Sequence, residues 1–194
     1  MGRGMVIGMA AVMAILVATV TVWLRLADET TLAPDDLGRG EYRLLRMDGA
    51  PFTQESLLGA PSLVFFGFTH CPDVCPTTLG DMAGWREDLG AEWERLRVFF
   101  VSVDPERDSA EILSDYVGWL PGLTGVTGAP EETASAIRAF RVFARKVPLE
   151  GGDYTMDHSS SILMFNASGG FFGTIAYQAP HDEALGKIRG LLDG

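Results

Sequence analysis

An unbroken run of 21 residues without a formal charge, from Gly4 to Leu24, constrains this chain more than any other feature. At a rise of about 1.5 Å per residue, a helix of that length spans roughly 31 Å, close to the ~30 Å hydrocarbon core of a bilayer. Trp23 and Arg25 follow where a membrane interface would lie. A cleaved signal peptide needs a shorter apolar region and a small-x-small cleavage site, which the bulky residues around Trp23 do not provide. The run predicts an uncleaved single-pass anchor over residues 1–26.

Charges beside the run leave both orientations of the anchor open. The positive-inside rule compares Arg3 and the amino terminus with Arg25, Arg39 and Arg43, and by count it opposes export. Arg39 and Arg43 adjoin or lie in the predicted folded region, whose passage does not follow local charge. Only three residues precede the run, which leaves no room for an Arg-rich mitochondrial presequence. We therefore expect a bacterial inner membrane.

Composition excludes several classes for the rest of the chain. The 15 Lys and Arg residues against 26 Asp and Glu residues give a net charge of −11, which would repel a phosphate backbone, so nucleic-acid binding is not expected. A hydrophobic content of 47% excludes a disordered chain, and two cysteines cannot form a disulfide-dense scaffold. We expect one globular domain.

Residues 27–40 are polar, contain a proline and two glycines, and predict a linker, which leaves residues 41–194 for the domain. The predicted strands are short runs rich in β-branched or aromatic residues: Glu41–Arg46, Ser62–Phe68, Arg97–Val103, Ser161–Asn166 and Gly170–Tyr177. The predicted helices open on Pro, Asp or Ser signals: Pro76–Leu89, Ser109–Leu120, Glu131–Phe143 and His181–Leu192. Strands that alternate with helices and close in a hairpin predict an α/β fold.

Both cysteines lie four residues apart in Phe66–Pro76 (FGFTHCPDVCP), directly after an apolar predicted strand. Open α/β sheets bind ligands outside the carboxyl ends of their strands, where this segment falls. Pro76 suits the first position of a helix, so Cys75 is predicted to cap it, with a thiol pKa lowered by the helix dipole. Cys75 is therefore expected to be the more thiolate-like of the two cysteines. The spacing permits a disulfide, or two thiolates around a soft ion such as Cu(I) or Zn²⁺.

A third ligand for such an ion would come from one of the three histidines. His70 adjoins Cys71, but neighbouring side chains diverge. His181 opens a polar-faced predicted helix, where a solvated side chain is the expectation. His158 lies in a predicted flexible loop before another apolar strand, so it can fold over the cysteines at the same sheet edge. A surface or capping role for His158 is the alternative.

The segment Phe66–Pro76 resembles the signature of the SCO/SenC family, membrane-tethered copper proteins needed to assemble cytochrome c oxidase. Further segments are similar to later family motifs in the same order: Val103–Asp108 (VDPERD), Leu123–Gly125 (LTG), Lys146–Pro148 (KVP) and Gly152–Ser159 (GDYTMDHS). The resemblance covers about Gly40 to Tyr177. It implies a thioredoxin-like fold in which Cys71, Cys75 and His158 are copper ligands.

Three neighbours of these residues, Asp73, Asp157 and Met156, each have two possible roles. Asp73 and Asp157 either orient the imidazole or cap loops. Met156 either offers a soft sulfur or packs in a hydrophobic cluster, and Asp104 is expected to form an Asp-Pro turn.

The function that the resemblance favours is a copper metallochaperone that delivers to the binuclear copper site in the copper-bearing subunit of cytochrome c oxidase. The alternative is a thiol–disulfide oxidoreductase, in which Cys71 and Cys75 form a redox-active pair that reduces the cysteines of that subunit. Peroxide reduction or redox sensing has weaker support. Of these roles, copper binding is the one that needs His158. The implied partners are the oxidase subunit, a thiol reductant and another copper chaperone as donor, and residues 27–194 are then expected in the periplasm.

Overall fold

The computed structural model describes residues 36–194, together with residues 2, 12, 13, 16 and 19. Most of the predicted anchor and linker lies outside the described residues. Within the part of the chain that is described, no helix combines the length and the apolar character needed to cross a bilayer. At the end of the predicted linker, Leu37 is buried in the core, and the Gly38 N–H donates to the Ala139 carbonyl at 2.9 Å.

Within residues 36–194, nine strands form two sheets. The strands of the seven-stranded sheet are β1 (Leu44–Arg46), β2 (Pro51–Phe52), β3 (Ser62–Gly67), β4 (Arg97–Ser102), β5 (Leu123–Thr127), β8 (Ile162–Phe165) and β9 (Phe171–Ile175), in the order β2-β1-β5-β4-β3-β8-β9. Strands β6 (Ala144–Pro148) and β7 (Tyr154–His158) pair only with each other. Parallel pairing joins β3, β4 and β5, whereas β1, β8 and β9 run antiparallel to their neighbours.

Within residues 36–194 the α-helices are α1 (Val74–Leu89), α2 (Ala110–Val117), α3 (Pro130–Ala139) and α4 (His181–Asp193). Short 3-10 turns lie at Gln54–Leu57, Gly90–Arg95 and Glu150–Gly152. Helix α1 contacts α4, and α2 packs on β5. All four helices coincide with predicted ones to within a few residues.

The core is built around β3, whose six residues are all buried. Such a strand, covered on both faces, reads as a continuous apolar run rather than an alternating one. Phe65 on β3 packs against Phe100 on β4 with ring centroids 5.8 Å apart. Strands β3 and β4 run parallel, so the loops that follow them, residues 68–73 and 103–109, leave the sheet at the same edge.

Four strands were not predicted. Strand β5 contains Gly125 and two threonines, Thr124 and Thr127, which weaken its apolar signal. Strand β2 is only two residues long. Strands β6 and β7 contain no buried residue, so they lack the hydrophobic alternation by which a strand is recognised. The residues that lead to His158 were predicted as a flexible loop, but Tyr154–His158 form the regular strand β7.

Candidate metal centre

The first two candidate ligands, Cys71 and Cys75, lie at the connection between β3 and α1. After Gly67 the chain makes a loop in which Cys71 is half-buried, and Cys75 follows in the first turn of the helix. The Cys75 side chain is 0% exposed. Its backbone N–H points at the Cys71 sulfur at 3.4 Å, which ties the two cysteines together. The loop therefore places one sulfur at the surface and the other beneath it.

The predicted cap is wrong, because the helix begins at Val74 and its N-cap position belongs to Asp73. The predicted order of the thiols is wrong as well. A hydrogen bond from the Cys75 thiol, with help from His158 and from the backbone N–H groups of Cys75 and Asp73, outweighs burial and lowers the Cys71 pKa to about 3. The same hydrogen bond and its burial raise the pKa of Cys75. Cys71 is therefore the more thiolate-like of the pair.

The third candidate ligand, His158, ends β7 and reaches the cysteines from the other side. Its Nε2 lies 3.7 Å from the Cys75 sulfur. Its Nδ1 lies 2.8 Å from the Ser159 carbonyl. A carbonyl can only accept, so the Nδ1–H donates to it, and Nε2 is the ring nitrogen that faces the sulfurs. The rings of Phe65 and Phe68 stand edge-on to the imidazole at 6.3 and 5.7 Å and restrict its rotation.

One ligand atom from each of Cys71, Cys75 and His158 lies within 4.8 Å of the other two. Among the residues that the structure describes, this is the one group of three or more His, Cys, Asp or Glu side chains so placed. Two sulfurs and a neutral imidazole form a soft ligand set that suits Cu(I) or Zn²⁺. A cavity of about 210 Å³ adjoins the site and is lined in part by Cys71, His158 and Met156.

The remaining histidines lie elsewhere, as predicted. His70 is exposed, and its Nδ1 is 3.1 Å from the hydroxyl of its neighbour Thr69. His181 is exposed and pairs with Asp88 at 2.6 Å.

The two carboxylates next to the ligands have partners of their own. Asp157 pairs with Arg145 at 3.3 Å, and Asp73 accepts a hydrogen bond from the Thr77 hydroxyl at 3.4 Å. The partner of the imidazole Nδ1 is instead the Ser159 carbonyl. Asp73 therefore occupies the N-cap position of α1 without a side-chain cap hydrogen bond, and Asp157 is a surface ion-pair partner.

The buried hydrogen-bonding roles of two aspartates behind the site were not predicted from the sequence. Asp108 is 1% exposed and accepts hydrogen bonds from both the N–H and the hydroxyl of Thr69. Asp104 is 2% exposed and accepts from Arg107 and from the Tyr154 hydroxyl, so it does more than form a turn. The available signal was the density of charge in VDPERD directly after a buried strand.

Comparison with known proteins gives consistent matches. A family model described as SCO1/SenC matches residues 30–193. The SCO1 homolog 1 of Arabidopsis thaliana mitochondria is 40% identical over 131 residues, which make up 65% of this chain and 38% of the relative. A mitochondrial SCO2 homolog of Danio rerio is 40% identical over 70% of this chain and 50% of its own. The chain thus spans half or less of the length of these curated relatives.

A solved structure of Bradyrhizobium japonicum ScoI with copper bound superposes with a TM-score of 0.73 at 38% identity, covering 80% of this chain and 99% of that one. BsSco, described as a member of the Sco family of cytochrome c oxidase assembly proteins with a disulfide switch, superposes with a TM-score of 0.64 at 25% identity, covering 81% and 94%. The α/β fold is the thioredoxin-like fold of these proteins. Because the family model spans nearly all of the described domain and the likeness extends to sequence and structure alike, the chain belongs to the SCO1/SenC family.

Proposed function

We propose that this chain is a copper chaperone that holds Cu(I) through Cys71, Cys75 and His158 and passes it to the binuclear copper site of cytochrome c oxidase during assembly. The observation that carries the proposal is the convergence of two sulfur atoms and one imidazole nitrogen within 4.8 Å. The copper-bound state of the Bradyrhizobium relative and the membership of BsSco in a family of cytochrome c oxidase assembly proteins support it.

The layout of the site suits transfer better than storage. Cu(I) held by three ligands leaves a fourth position, and the cavity beside Cys71 and His158 gives an acceptor thiolate a place to enter. Cys71 is the half-buried ligand, whereas Cys75 is enclosed. The acceptor therefore displaces Cys71 first, while Cys75 keeps hold of the ion.

A second function uses the same cysteines, and the half-exposed Cys71 with its lowered pKa favours it. The Cys71 thiolate attacks a disulfide of the oxidase subunit, forming a mixed disulfide and releasing one subunit thiolate. Cys75, once deprotonated, then attacks the Cys71 sulfur, which releases the second subunit thiolate and leaves a Cys71–Cys75 disulfide. The subunit gains two electrons and this chain loses them, so an external thiol reductant is needed to restore the pair. The chaperone needs the same reductant, because a disulfide offers no thiolate to Cu(I).

His158→Ala should weaken Cu(I) binding by the reduced full chain at least about tenfold and remove the nitrogen scatterer from its X-ray absorption spectrum, because one of three ligands is lost. His70→Ala is the matched control, since that histidine is exposed beside Cys71, contacts Thr69 and is not among the converging ligands. An unchanged spectrum and affinity in His158→Ala would remove the imidazole from the site.

The same variant separates the two functions in cells. It keeps both thiols, so exchange with a model disulfide should survive while oxidase assembly at limiting copper fails. Normal assembly in His158→Ala, together with a block in Cys71→Ser, would make the reductase function the principal one.

We further propose that residues 1–26 anchor the chain in a bacterial inner membrane, residues 27–40 form the linker, and the domain from residue 41 faces the periplasm. The uncharged run Gly4–Leu24 supports the anchor. Protease added to intact spheroplasts should then remove the domain while a cytoplasmic marker survives. Protection of the domain until the membrane is permeabilised would reverse the orientation.

A further inference from the structure

The hairpin of β6 and β7 carries His158 but takes no part in the seven-stranded sheet. None of its strand residues is fully buried. A two-stranded hairpin is marginally stable by itself. Contacts other than strand pairing must therefore hold this hairpin, and with it the imidazole, against the domain.

Three charged side chains hold Tyr154, which lies four residues before His158 on β7. The Arg107 guanidinium carbon is 3.7 Å from the centroid of the tyrosine ring, and the Lys146 ammonium nitrogen is 4.0 Å from it. The tyrosine hydroxyl donates to Oδ1 of Asp104 at 2.8 Å. Cations over an aromatic face are attracted by its quadrupole, so both the ring and the hydroxyl of Tyr154 are fixed.

Asp104 and Arg107 belong to the loop after β4, so these contacts join the hairpin to the main sheet. Arg107 donates from Nε to Asp104 Oδ2 at 2.5 Å and from an Nη to the Tyr154 carbonyl at 3.0 Å. Lys146 on β6 pairs with Glu106 of the same loop at 2.8 Å. The buried Asp104 carboxylate thus accepts from both a cation and the tyrosine, which makes each charge-assisted bond strong.

The loop after β4 is also bonded to the cysteine segment. The Ser102 hydroxyl accepts from the Asp104 N–H at 2.9 Å and donates to Asp108 at 2.6 Å. Asp108 in turn accepts from the Thr69 N–H at 3.1 Å and from the Thr69 hydroxyl at 2.6 Å. Thr69 lies two residues before Cys71. A continuous hydrogen-bonded path therefore runs from the cysteine loop to the strand that carries His158.

We propose that Tyr154 is a positioning residue that, by tying β7 to Asp104 and Arg107, sets the distance between His158 and the cysteine pair. It acts through the placement of the imidazole, since its own contacts are with the loop after β4. The inference rests on the proposed copper function, because it concerns the geometry of the same site.

The test compares Tyr154→Phe, which removes only the hydroxyl, with Tyr154→Leu, which also removes the ring. Tyr177→Phe and Tyr177→Leu are matched controls at a half-buried tyrosine whose hydroxyl accepts a hydrogen bond from its neighbour Gln178. In the reduced full chain, Cu(I) affinity should fall about tenfold in Tyr154→Leu, in the range typical for residues that orient a ligand, and less in Tyr154→Phe. The nitrogen contribution to the X-ray absorption spectrum should fall in parallel.

Repeating Tyr154→Leu in the His158→Ala background distinguishes an effect through the imidazole from a general loss of structure. If Tyr154 acts through the imidazole, the double variant should bind Cu(I) as tightly as His158→Ala alone, because the two effects are not additive. An equal fold-loss in both backgrounds, or no loss in either, would overturn the proposal.

The metal-free protein separates this inference from the copper function. The His158 and Phe68 rings, with centroids 5.7 Å apart, should give a nuclear Overhauser contact in the wild type and the Tyr177 variants, and lose it in Tyr154→Leu. A wild-type chain that binds no Cu(I) would refute the proposed function alone. A His158–Phe68 contact that persists in Tyr154→Leu would refute the positioning role alone.

Discussion

Replacing either cysteine with serine should abolish tight Cu(I) binding. A serine hydroxyl is a hard, neutral ligand that cannot replace a thiolate. The loss of Cu(I) affinity should therefore exceed the roughly 10–100-fold loss typical when an outer partner of a metal ligand is removed. Competition against a Cu(I) chelator measures the affinity. We expect neither Cys71→Ser nor Cys75→Ser to compete with the chelator for Cu(I). Oxidation of the wild type to a Cys71–Cys75 disulfide should have the same result.

Ser160→Ala is the matched control, since Ser160 lines the same cavity and offers no soft ligand. It should leave the affinity unchanged. Tight binding by a single-cysteine variant would show that the two sulfurs do not act on one ion, and the proposed site would have to be redrawn.

Gly67→Ala should both destabilise the domain and disturb the metal site. A Cβ at Gly67 would stand 2.8 Å from the Cys75 sulfur and 2.8 Å from ring atoms of Phe100. Contacts that short force the neighbours to move, and both neighbours are fully buried. Overpacking of this kind lowers the free energy of unfolding by about 1–3 kcal/mol. Displacement of the Cys75 sulfur should also weaken Cu(I) binding, which denaturant unfolding and chelator competition measure on one preparation.

Gly80→Ala is the control in helix α1, where an added Cβ meets nothing within 4 Å. Alanine is a better helix former than glycine, so this variant should raise the free energy of unfolding by up to about 1 kcal/mol and leave the affinity unchanged. Equal stability and affinity in Gly67→Ala and the wild type would show that β3 and α1 are not packed as closely as described.

The candidate ligands could be named from the sequence because each carries rare chemistry. The chain has two cysteines and three histidines, and the place of His158 before an apolar strand made it a candidate. The resemblance to the SCO/SenC family then implied that it is the third ligand. The structure confirms that these three side chains converge. The helices were also predictable, since their amphipathic period and opening residues act locally.

The missed features depend on contacts between distant segments. Nothing near Cys75 in the chain reveals that its thiol is enclosed while that of Cys71 is not, so the predicted order of thiolate character was reversed. Strand β7 exposes polar side chains and is stabilised by pairing with β6, which no local pattern encodes. Asp104 accepts a hydrogen bond from Tyr154, which lies fifty positions later in the chain, so its role depends on the folded structure.

The position of β3 between β4 and β8 has a consequence for the order of folding. Its apolar residues Leu63 and Val64 pair on one side with β8, through Met164 and Leu163. Closing a loop of about a hundred residues is entropically unfavourable, so this edge is completed late. Until then β3 presents an uncovered hydrophobic edge of the kind that seeds aggregation. His158 lies just before β8, so the three side chains should meet only when β8 has joined β3, and copper binding by all three would report that the sheet is closed at this edge.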